Sequence, residues 1–280
     1  MPELRPLPAL WAWIGERFAL SVSVPVAVIL TGAAAPPGAW SRLPAVAAVG
    51  WLLLLGARAW DDLVDLARDR VRRPERLLPS GRVPARLLQQ TAVAAGLLGL
   101  AGALALSTAA GVVLAGCMAA RVLWEGSRAR RTPLVGPLLV DLAFPALVIL
   151  GSLALGGSPG DTALLAGFTW AGAVAHDLAH GIEEEEGMPE GLRDPLPAVL
   201  RARLGLAAFG ASLLFAAAVT ASRPDLAFGA VALATGGVVA GRFVRLLRAP
   251  GEWNARRLRV AGFVYFVAPL AGGMAGSLLR

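Results

Sequence analysis

Four aspartates and a run of arginines lie together between residues 58 and 82. If the chain is helical here, Asp61, Asp65 and Asp69 recur at every fourth position and share one face, with Asp62 beside that row. Carboxylates stacked this way repel one another unless divalent cations or arginines neutralise them. Since Mg²⁺ binds both carboxylate and phosphate oxygens, the row predicts a Mg²⁺ site for a diphosphate, with all four aspartates as metal ligands. The alternative interpretation is a solvated helix end whose charges pair locally.

Arginines close to the aspartates are the predicted diphosphate ligands, because a guanidinium donates forked hydrogen bonds to phosphate oxygens. Arg68, Arg72 and Arg73 belong to the same stretch, and Arg128 and Arg131 lie in a later loop between apolar segments. For the two loop arginines, membrane topology is an equally good explanation, so both interpretations stay open.

A second acidic cluster begins where a later apolar segment ends. His176, Asp177 and His180 precede a run of glutamates at 183–186. Helical spacing puts Asp177 on the same face as Glu184, and it equally puts His176, His180 and Glu184 on one face, so either set could present metal ligands. The sequence has no HExxH zinc motif, and carboxylates suit Mg²⁺ at least as well as zinc. At least two of the glutamates are expected to lie in a solvated loop. Asp177 and Glu184 are therefore candidate Mg²⁺ ligands.

Asp141 lies about two turns inside an apolar segment. A carboxylate within the membrane is costly and usually faces a cavity or a partner, so Asp141 is a candidate catalytic residue. A structural salt bridge to Arg58 or Arg121 is the alternative. Trp60 and Trp124 adjoin the charged stretches and are predicted to bind substrate, since their ring faces can stabilise a carbocation. Packing or interfacial roles are their alternative.

The elements that must hold these residues are membrane helices. Apolar residues make up 56% of the 280-residue chain and charged residues 16%, which is typical of a polytopic membrane protein. We predict an all-α, polytopic membrane helical bundle with about nine transmembrane helices around a central cavity, forming a single domain over residues 1–280. The predicted spans are about 10–34, 43–62, 87–107, 109–126, 134–156, 161–182, 203–221, 225–247 and 258–279.

The distribution of arginine predicts the orientation of these spans. Arginines concentrate in the loops after the second, fourth, sixth and eighth spans, so the N-terminus and these loops are expected in the cytoplasm and the C-terminus outside. Both acidic clusters then face the cytoplasm. The net charge of +7 is accounted for by these loops and by anionic headgroups, so no nucleic-acid partner is expected. The single cysteine excludes an intrachain disulfide.

The aspartate row and the loop after it resemble the UbiA-type intramembrane prenyltransferase superfamily. The row matches the family's first motif, Asn-Asp-x-x-Asp-x-x-x-Asp, with Asp61 in place of the asparagine. The arginine- and proline-rich loop that follows the motif is matched by Arg73, Pro74, Arg76, Pro79 and Gly81. The second motif departs further, because Asp177 is its one aspartate, and Glu183 and Glu184 align best with its other acidic places. The resemblance implies that Asp177, Glu183 and Glu184 bind metal.

This resemblance implies an enzyme of isoprenoid (terpene) biosynthesis in a bacterial cell membrane. The second and sixth helices would bind Mg²⁺ and an isoprenyl diphosphate, and the prenyl group would pass to an aromatic or other hydrophobic acceptor. Asp141, Asp177 and Glu184 are the candidates for removing the acceptor's proton. A terpene cyclase of the same fold, which needs no acceptor, is the first alternative. The second is a small cation-coupled transporter, although its ionisable residues should lie near mid-membrane. The oligomeric state is left open.

Overall fold

Residues 6–36, 38–126, 135–185, 189, 196–222 and 226–278 are described by the computed structural model. Within them the regular structure is helical and no strand occurs, which confirms the all-α prediction. A 3-10 turn at Trp40–Arg42 leads into the third helix. The helices are α1 (Pro6–Arg17), α2 (Leu20–Gly32), α3 (Leu43–Val64), α4 (Leu66–Arg72), α5 (Ala85–Leu106), α6 (Thr108–Gly126), α7 (Val135–Val140), α8 (Ala143–Leu155), α9 (Pro159–Glu185), α10 (Ala198–Ser222), α11 (Leu226–Arg248) and α12 (Glu252–Leu278).

Each predicted span has a helical counterpart, but two of them are broken. The first consists of α1 and α2, which meet at a bend of 68°. The fifth consists of α7 and α8, interrupted at Asp141 and Leu142. In the described part of the chain, six helices are long and apolar enough to cross a membrane, or seven if the bent pair forms one span. The polytopic helical bundle is therefore confirmed, while the count of nine stays approximate.

Most of the other helices pack around α3 and α9. α3 packs against α2, α5 and α8, whereas α9 packs against α8, α10 and α12. Leu30, Leu147 and Phe168 are fully buried in the core that these helices share. Because the two predicted acidic clusters lie at the ends of α3 and α9, this packing determines how far apart the clusters are.

Two glycines allow neighbouring helices to touch through their backbones. A Cβ atom on Gly56 of α3 would lie 3.0 Å from the Gly96 nitrogen of α5. A Cβ atom on Gly151 of α8 would overlap the backbone of Thr31 on α2. Helices in lipid associate largely through close van der Waals contact, so small residues at the crossings bring α2, α5 and α8 tightly against their partners.

The short helix α1 covers the end of α3. Trp13 is fully buried in an apolar cluster with Ala59 of α3 and Leu88 of α5. Leu78 and Val83, from the loop after α4, belong to the same cluster. This packing brings α1 and that loop beside the aspartate row.

Candidate active site

The backbone stays helical through the aspartate row, although Asp65 separates α3 from α4. The Asp65 amide donates to the Asp61 carbonyl at 2.9 Å, and the Asp69 amide donates to the Asp65 carbonyl at 2.9 Å. The ladder continues with the Arg73 amide, which donates to the Asp69 carbonyl at 2.8 Å. Steps of four residues along a helix keep side chains on one face. The helical geometry from which the row was predicted is therefore confirmed.

Asp62 is buried, and three side chains hold its carboxylate. Arg17 of α1 makes a forked contact, with Nη2 donating to Oδ1 at 2.7 Å and Nε donating to Oδ2 at 2.9 Å. Trp13 Nε1 donates to Oδ2 at 2.9 Å, and Arg58 Nη2 lies 3.1 Å from Oδ1. Asp62 thus fastens α1 to α3, and a metal ion bound there would have to displace a guanidinium. Neither Trp13 nor Arg17 was predicted as part of the site, since only the fold brings α1 here.

Asp61 takes part in a polar cluster between α3 and α6. Its carboxylate pairs with Arg121, whose Nε donates to Glu125 Oε1 at 3.0 Å. Trp60 Nε1 donates to the other oxygen of Glu125. We call these four residues the α3–α6 polar cluster. Glu125 was not predicted as a site residue, and its signal in the sequence is its position four residues after Arg121 at the end of an apolar segment.

The loop after α4 folds back onto the aspartate row. Arg76 Nη1 donates to Asp69 Oδ2 at 2.8 Å, and Asp69 is buried. Asp65 is half-buried between the two helices. Local pairing with arginine, the alternative interpretation of the row, therefore occurs at Asp61, Asp62 and Asp69, whose charges are neutralised by guanidinium groups here.

Arg68 and Arg72 have buried hydrogen-bond donors that would be stabilised by an anionic ligand. Arg68 Nη2 and Arg72 Nη1 are shielded from solvent and meet no hydrogen-bond acceptor among the described residues. The other amino group of Arg72 donates to the backbone carbonyl of Glu183, which ties α4 to α9. An unpaired cationic donor is costly to bury, so an anionic ligand such as a phosphate would stabilise this arrangement. Arg73 is half-buried at the end of α4.

Glu183 lies at the end of α9, beyond the predicted sixth span, and contacts α12. Arg259 Nε donates to Glu183 Oε2 at 2.7 Å, and His180 Nδ1 lies 3.8 Å from the same oxygen. The His180 imidazole and the Arg259 guanidinium hold the pKa of the Glu183 carboxyl below its usual range, at about 2. His176 packs instead against phenylalanine rings of α12. The side chain of Glu184 lies outside what the structure describes.

Asp141 lies at the break between α7 and α8 and is buried. Its Oδ2 atom has no hydrogen-bond partner among the described residues. The carboxylate lies within electrostatic range of Asp177 on α9, of Asp61 on α3 and of Arg121 on α6. The structural salt bridge considered as its alternative is not formed by the described residues, because Arg121 pairs with Asp61 and Glu125, and Arg58 pairs with Asp62. The fold therefore brings three predicted site carboxylates, Asp61, Asp141 and Asp177, towards one another.

An apolar cavity of about 1080 Å³, including its open mouth, adjoins the α3–α6 polar cluster. Trp60 and Arg121 line it, and among the described residues Arg121 is the one charged residue of the lining. Val93, Leu97 and Val122 line the cavity and are also exposed on α5 and α6, so it opens sideways where lipid would lie. The remaining lining residues are Leu53, Leu54, Gly56, Ala57, Ala92, Gly96, Leu114, Cys117, Met118, Leu139, Leu142, Ala143, Ala146 and Leu147.

The remaining predicted substrate-binding residues are Trp124, Arg128 and Arg131. Trp124 is half-buried on α6, with its ring over Gly136 at the start of α7. Arg128 and Arg131 lie outside the described residues. The predicted site therefore comes together around α3, α4, α6 and α9, while the contribution of the loop after α6 stays a prediction.

The donor chemistry of the site fits Mg²⁺. No three His, Cys, Asp or Glu side chains already converge as a metal cage among the residues that the structure describes. Carboxylate oxygens from the aspartate row and from Asp177 are donors of the hard type that Mg²⁺ binds, and both Asp61 and Asp177 lie within electrostatic range of Asp141. Carboxylates on α3 and α9 that now bind guanidinium groups would have to release them in order to bind the ion.

Comparisons with known proteins agree with this arrangement. Residues 22–268 match the model of the UbiA prenyltransferase family. The chain is 30% identical over 175 residues to digeranylgeranylglyceryl phosphate synthase of Ignicoccus hospitalis, a match that covers 58% of this chain and 57% of that relative. The match thus spans little more than half the length of the relative.

A solved structure also resembles this chain along its whole length. It comes from work on the biosynthesis of digeranylgeranylglyceryl phosphate synthase in membranes, with a TM-score of 0.70 and 14% identity, and the match covers 99% of this chain and 100% of that one. At this identity the likeness shows a shared fold. The family model covers most of the sequence, and this protein therefore belongs to the UbiA prenyltransferase family.

Proposed function

We propose that this protein ionises an isoprenyl diphosphate in the membrane and transfers the prenyl group to an aromatic or other hydrophobic acceptor. The observation that carries the proposal is the junction at Trp60 and Arg121, where the apolar cavity meets the aspartate row. An isoprenyl diphosphate has the same division between an apolar tail and a charged head. Membership of the UbiA prenyltransferase family supports the proposal.

The diphosphate head is assigned to the arginines of α4. The unpaired donors of Arg68 and Arg72 are available to phosphate oxygens, and Arg73 lies next to them. Arg128 and Arg131, which follow α6 in the sequence, are proposed as further diphosphate ligands. Arg121 binds Asp61 where the cavity adjoins the aspartate row, and it would neutralise charge between head and tail there.

Mg²⁺ is the proposed metal, with Asp61, Asp62, Asp65 and Asp69 from the first cluster and Asp177, Glu183 and Glu184 from the second as its candidate ligands. When bound, it neutralises negative charge that develops on the diphosphate. Asp61, Asp69 and Glu183 each already bind a guanidinium, and Asp62 is the weakest candidate because Trp13, Arg17 and Arg58 all hold its carboxylate. Asp177 has the better position, because it lies in electrostatic range of Asp141.

The transfer itself breaks one bond and forms another. The C–O bond to the diphosphate breaks, and its electron pair leaves with the diphosphate. A nucleophilic atom of the acceptor bonds to the allylic carbon, and the acceptor's proton goes to a base. Asp141 is the proposed base because its Oδ2 is buried and unpaired, with Asp177 and Glu184 as the other candidates. The Trp60 ring, which lines the cavity beside the α3–α6 polar cluster, can stabilise the allylic cation through its face.

The terpene cyclase alternative is less well supported by the cavity. A cyclase would surround a folded tail with aromatic rings, whereas Trp60 is the one aromatic residue of the cavity lining within the part of the chain that the structure describes. Apart from Trp60 and Arg121, the lining consists of leucine, valine, alanine, glycine, methionine and cysteine side chains, which suits an extended tail. For the acceptor, the name of the Ignicoccus hospitalis relative adds a glycerophosphate lipid to the aromatic compounds to be tested.

The decisive experiment supplies purified protein in lipid nanodiscs with Mg²⁺ and geranyl, farnesyl or geranylgeranyl diphosphate, with and without acceptors. A prenylated product that forms only when acceptor is present supports the transferase. A cyclic hydrocarbon or alcohol formed without acceptor would establish the cyclase instead. If no diphosphate is consumed and Asp65→Ala binds diphosphate as well as the unaltered protein, both enzyme proposals are wrong. Asp161→Ala is the matched control, because Asp161 lies in the first turn of α9, at the opposite end of that helix from Glu183.

The orientation of the protein is tested separately, by labelling an engineered cysteine in sealed vesicles. We propose that the N-terminus and the site face the cytoplasm of a bacterial cell and that the C-terminus lies outside, because arginine-rich loops flank the site. Labelling of an engineered cysteine at Arg70, on the exposed side of α4, would then require access from the cytoplasmic side.

A further inference from the structure

A second groove lies between α11 and α12, away from the cavity of the candidate active site. Its volume is about 930 Å³, and it opens on the outer surface of the bundle. Val238, Val260 and Val264 line it and are exposed. The complete lining is Thr235, Val238, Arg242, Trp253, Arg256, Arg257, Val260, Ala261 and Val264.

The two ends of the groove differ in charge and polarity. On α11 the order is Thr235, Val238 and Arg242, which are spaced so that they share one face. On α12 the order runs from Trp253 through the arginines at 256 and 257 to Val260 and Val264. Because the two helices join through a short turn after Arg248, both place their arginines near that turn and their aliphatic residues farther along. The groove is therefore cationic at one end and apolar at the other.

The charges of the groove are of one sign. No carboxylate is among its lining residues, and Arg242, Arg256 and Arg257 form no ion pair with any residue that the structure describes. The Arg257 guanidinium stacks on the exposed Trp253 ring, 4.1 Å from the ring centre. Tryptophan at the membrane interface and arginine near phosphate are the usual partners of a lipid headgroup region.

We propose that this α11–α12 groove binds an anionic phospholipid, with its headgroup phosphate on Arg242, Arg256 and Arg257 and an acyl chain along Val238, Val260 and Val264. The positive arginines complement the negative headgroup phosphate, and the valines farther along the groove would contact the acyl chain that follows the phosphate in the lipid. The groove lies at the same end of the bundle as the aspartate row, because Arg259 of α12 binds Glu183 and Arg72 of α4 also binds Glu183. It is a separate site, since the two cavities share no lining residue.

The test is retention of lipid by the purified full-length chain in native mass spectrometry. Protein in mild detergent is exposed to phosphatidylglycerol or to phosphatidylcholine of the same acyl chains, and bound lipid is counted. We expect phosphatidylglycerol to be retained at least about tenfold more strongly, since each arginine near an anionic headgroup contributes roughly fivefold. The triple variant Arg242→Gln, Arg256→Gln, Arg257→Gln should lose that preference.

The matched control removes the same charge elsewhere. Arg86→Gln, Arg245→Gln, Arg248→Gln alters three exposed arginines that do not line the groove, and it should keep the preference for phosphatidylglycerol. Equal retention of the two lipids by the unaltered protein would overturn the proposal. So would an equal loss in both triple variants, which would indicate a response to net charge alone. A groove filled by a second copy of the chain, seen as a dimer that only the groove variant disrupts and that carries no lipid, would also overturn it.

Discussion

Arg17 on α1 holds Asp62 on α3 through both carboxylate oxygens, at 2.7 and 2.9 Å, and thereby attaches the first helix to the end of the aspartate row. Arg17→Ala should destabilise the protein by about 2 kcal/mol, because it leaves a buried carboxylate with two of its hydrogen bonds lost. Thermal unfolding in detergent measures this, with exposed Arg70→Ala as the control. An unchanged melting temperature together with weaker diphosphate binding would mean that Arg17 serves the ligand and not the fold.

The crossing of α3 and α5 depends on Gly56. Gly56→Ala should destabilise the protein by about 1–3 kcal/mol, because the new methyl group would lie 3.0 Å from the Gly96 nitrogen and 3.2 Å from the Ala92 oxygen, and backbone atoms yield little. Gly237→Ala on α11 is the control, since a Cβ atom there meets nothing within 4 Å. If both variants unfold alike, the close crossing does not limit stability.

The unpaired donors on α4 make binding of inorganic diphosphate a direct measurement. Arg68→Gln and Arg72→Gln should each raise the Kd for Mg²⁺–diphosphate by about 10- to 100-fold, the usual loss for a hydrogen bond between charged groups. Isothermal titration calorimetry measures the change. Arg70→Gln, on the exposed face of the same helix, should bind normally. Equal weakening in all three variants would point to general attraction of charge and not to a built site.

Asp141→Asn separates catalysis from stability. Loss of the base should lower kcat by about 10²–10⁴-fold and leave KM for the prenyl diphosphate nearly unchanged. The same change should raise the melting temperature, because it removes a buried carboxylate whose Oδ2 has no partner among the described residues. Lower stability with full activity would instead assign Asp141 a structural role.

The apolar cavity should limit the length of the prenyl tail. Cys117→Trp places an indole among the lining residues and should lower kcat/KM for geranylgeranyl diphosphate at least about tenfold relative to geranyl diphosphate. Val112→Trp, on the exposed face of the same helix and outside the cavity, is the control. Competition between the two diphosphates in one reaction gives the ratio directly. A uniform loss with both substrates would indicate damage to the fold.

Local pattern alone predicted much of the helical framework. The long apolar helices, of which the described residues contain six against about nine predicted spans, and the four-residue spacing of Asp61, Asp65 and Asp69 follow from composition and from the 3.6-residue period of the helix. Neither feature requires knowledge of distant residues. The two breaks were harder to predict. The chain bends between α1 and α2, and α7 and α8 are interrupted at Asp141, although the apolar pattern runs on through both places.

The tertiary structure decided what each charge touches. Sequence spacing treats Asp61 and Asp62 as equals, yet one pairs with Arg121 on α6 and the other with Arg17 on α1. These partners lie 60 and 45 residues away along the chain, and such pairing depends on helix packing and on rotamers that no local pattern records. The sequence by itself determined a helical membrane protein with a carboxylate row. Only the packing of α3, α6 and α9 decided that Asp141 would lie near that row, with an apolar cavity at its side.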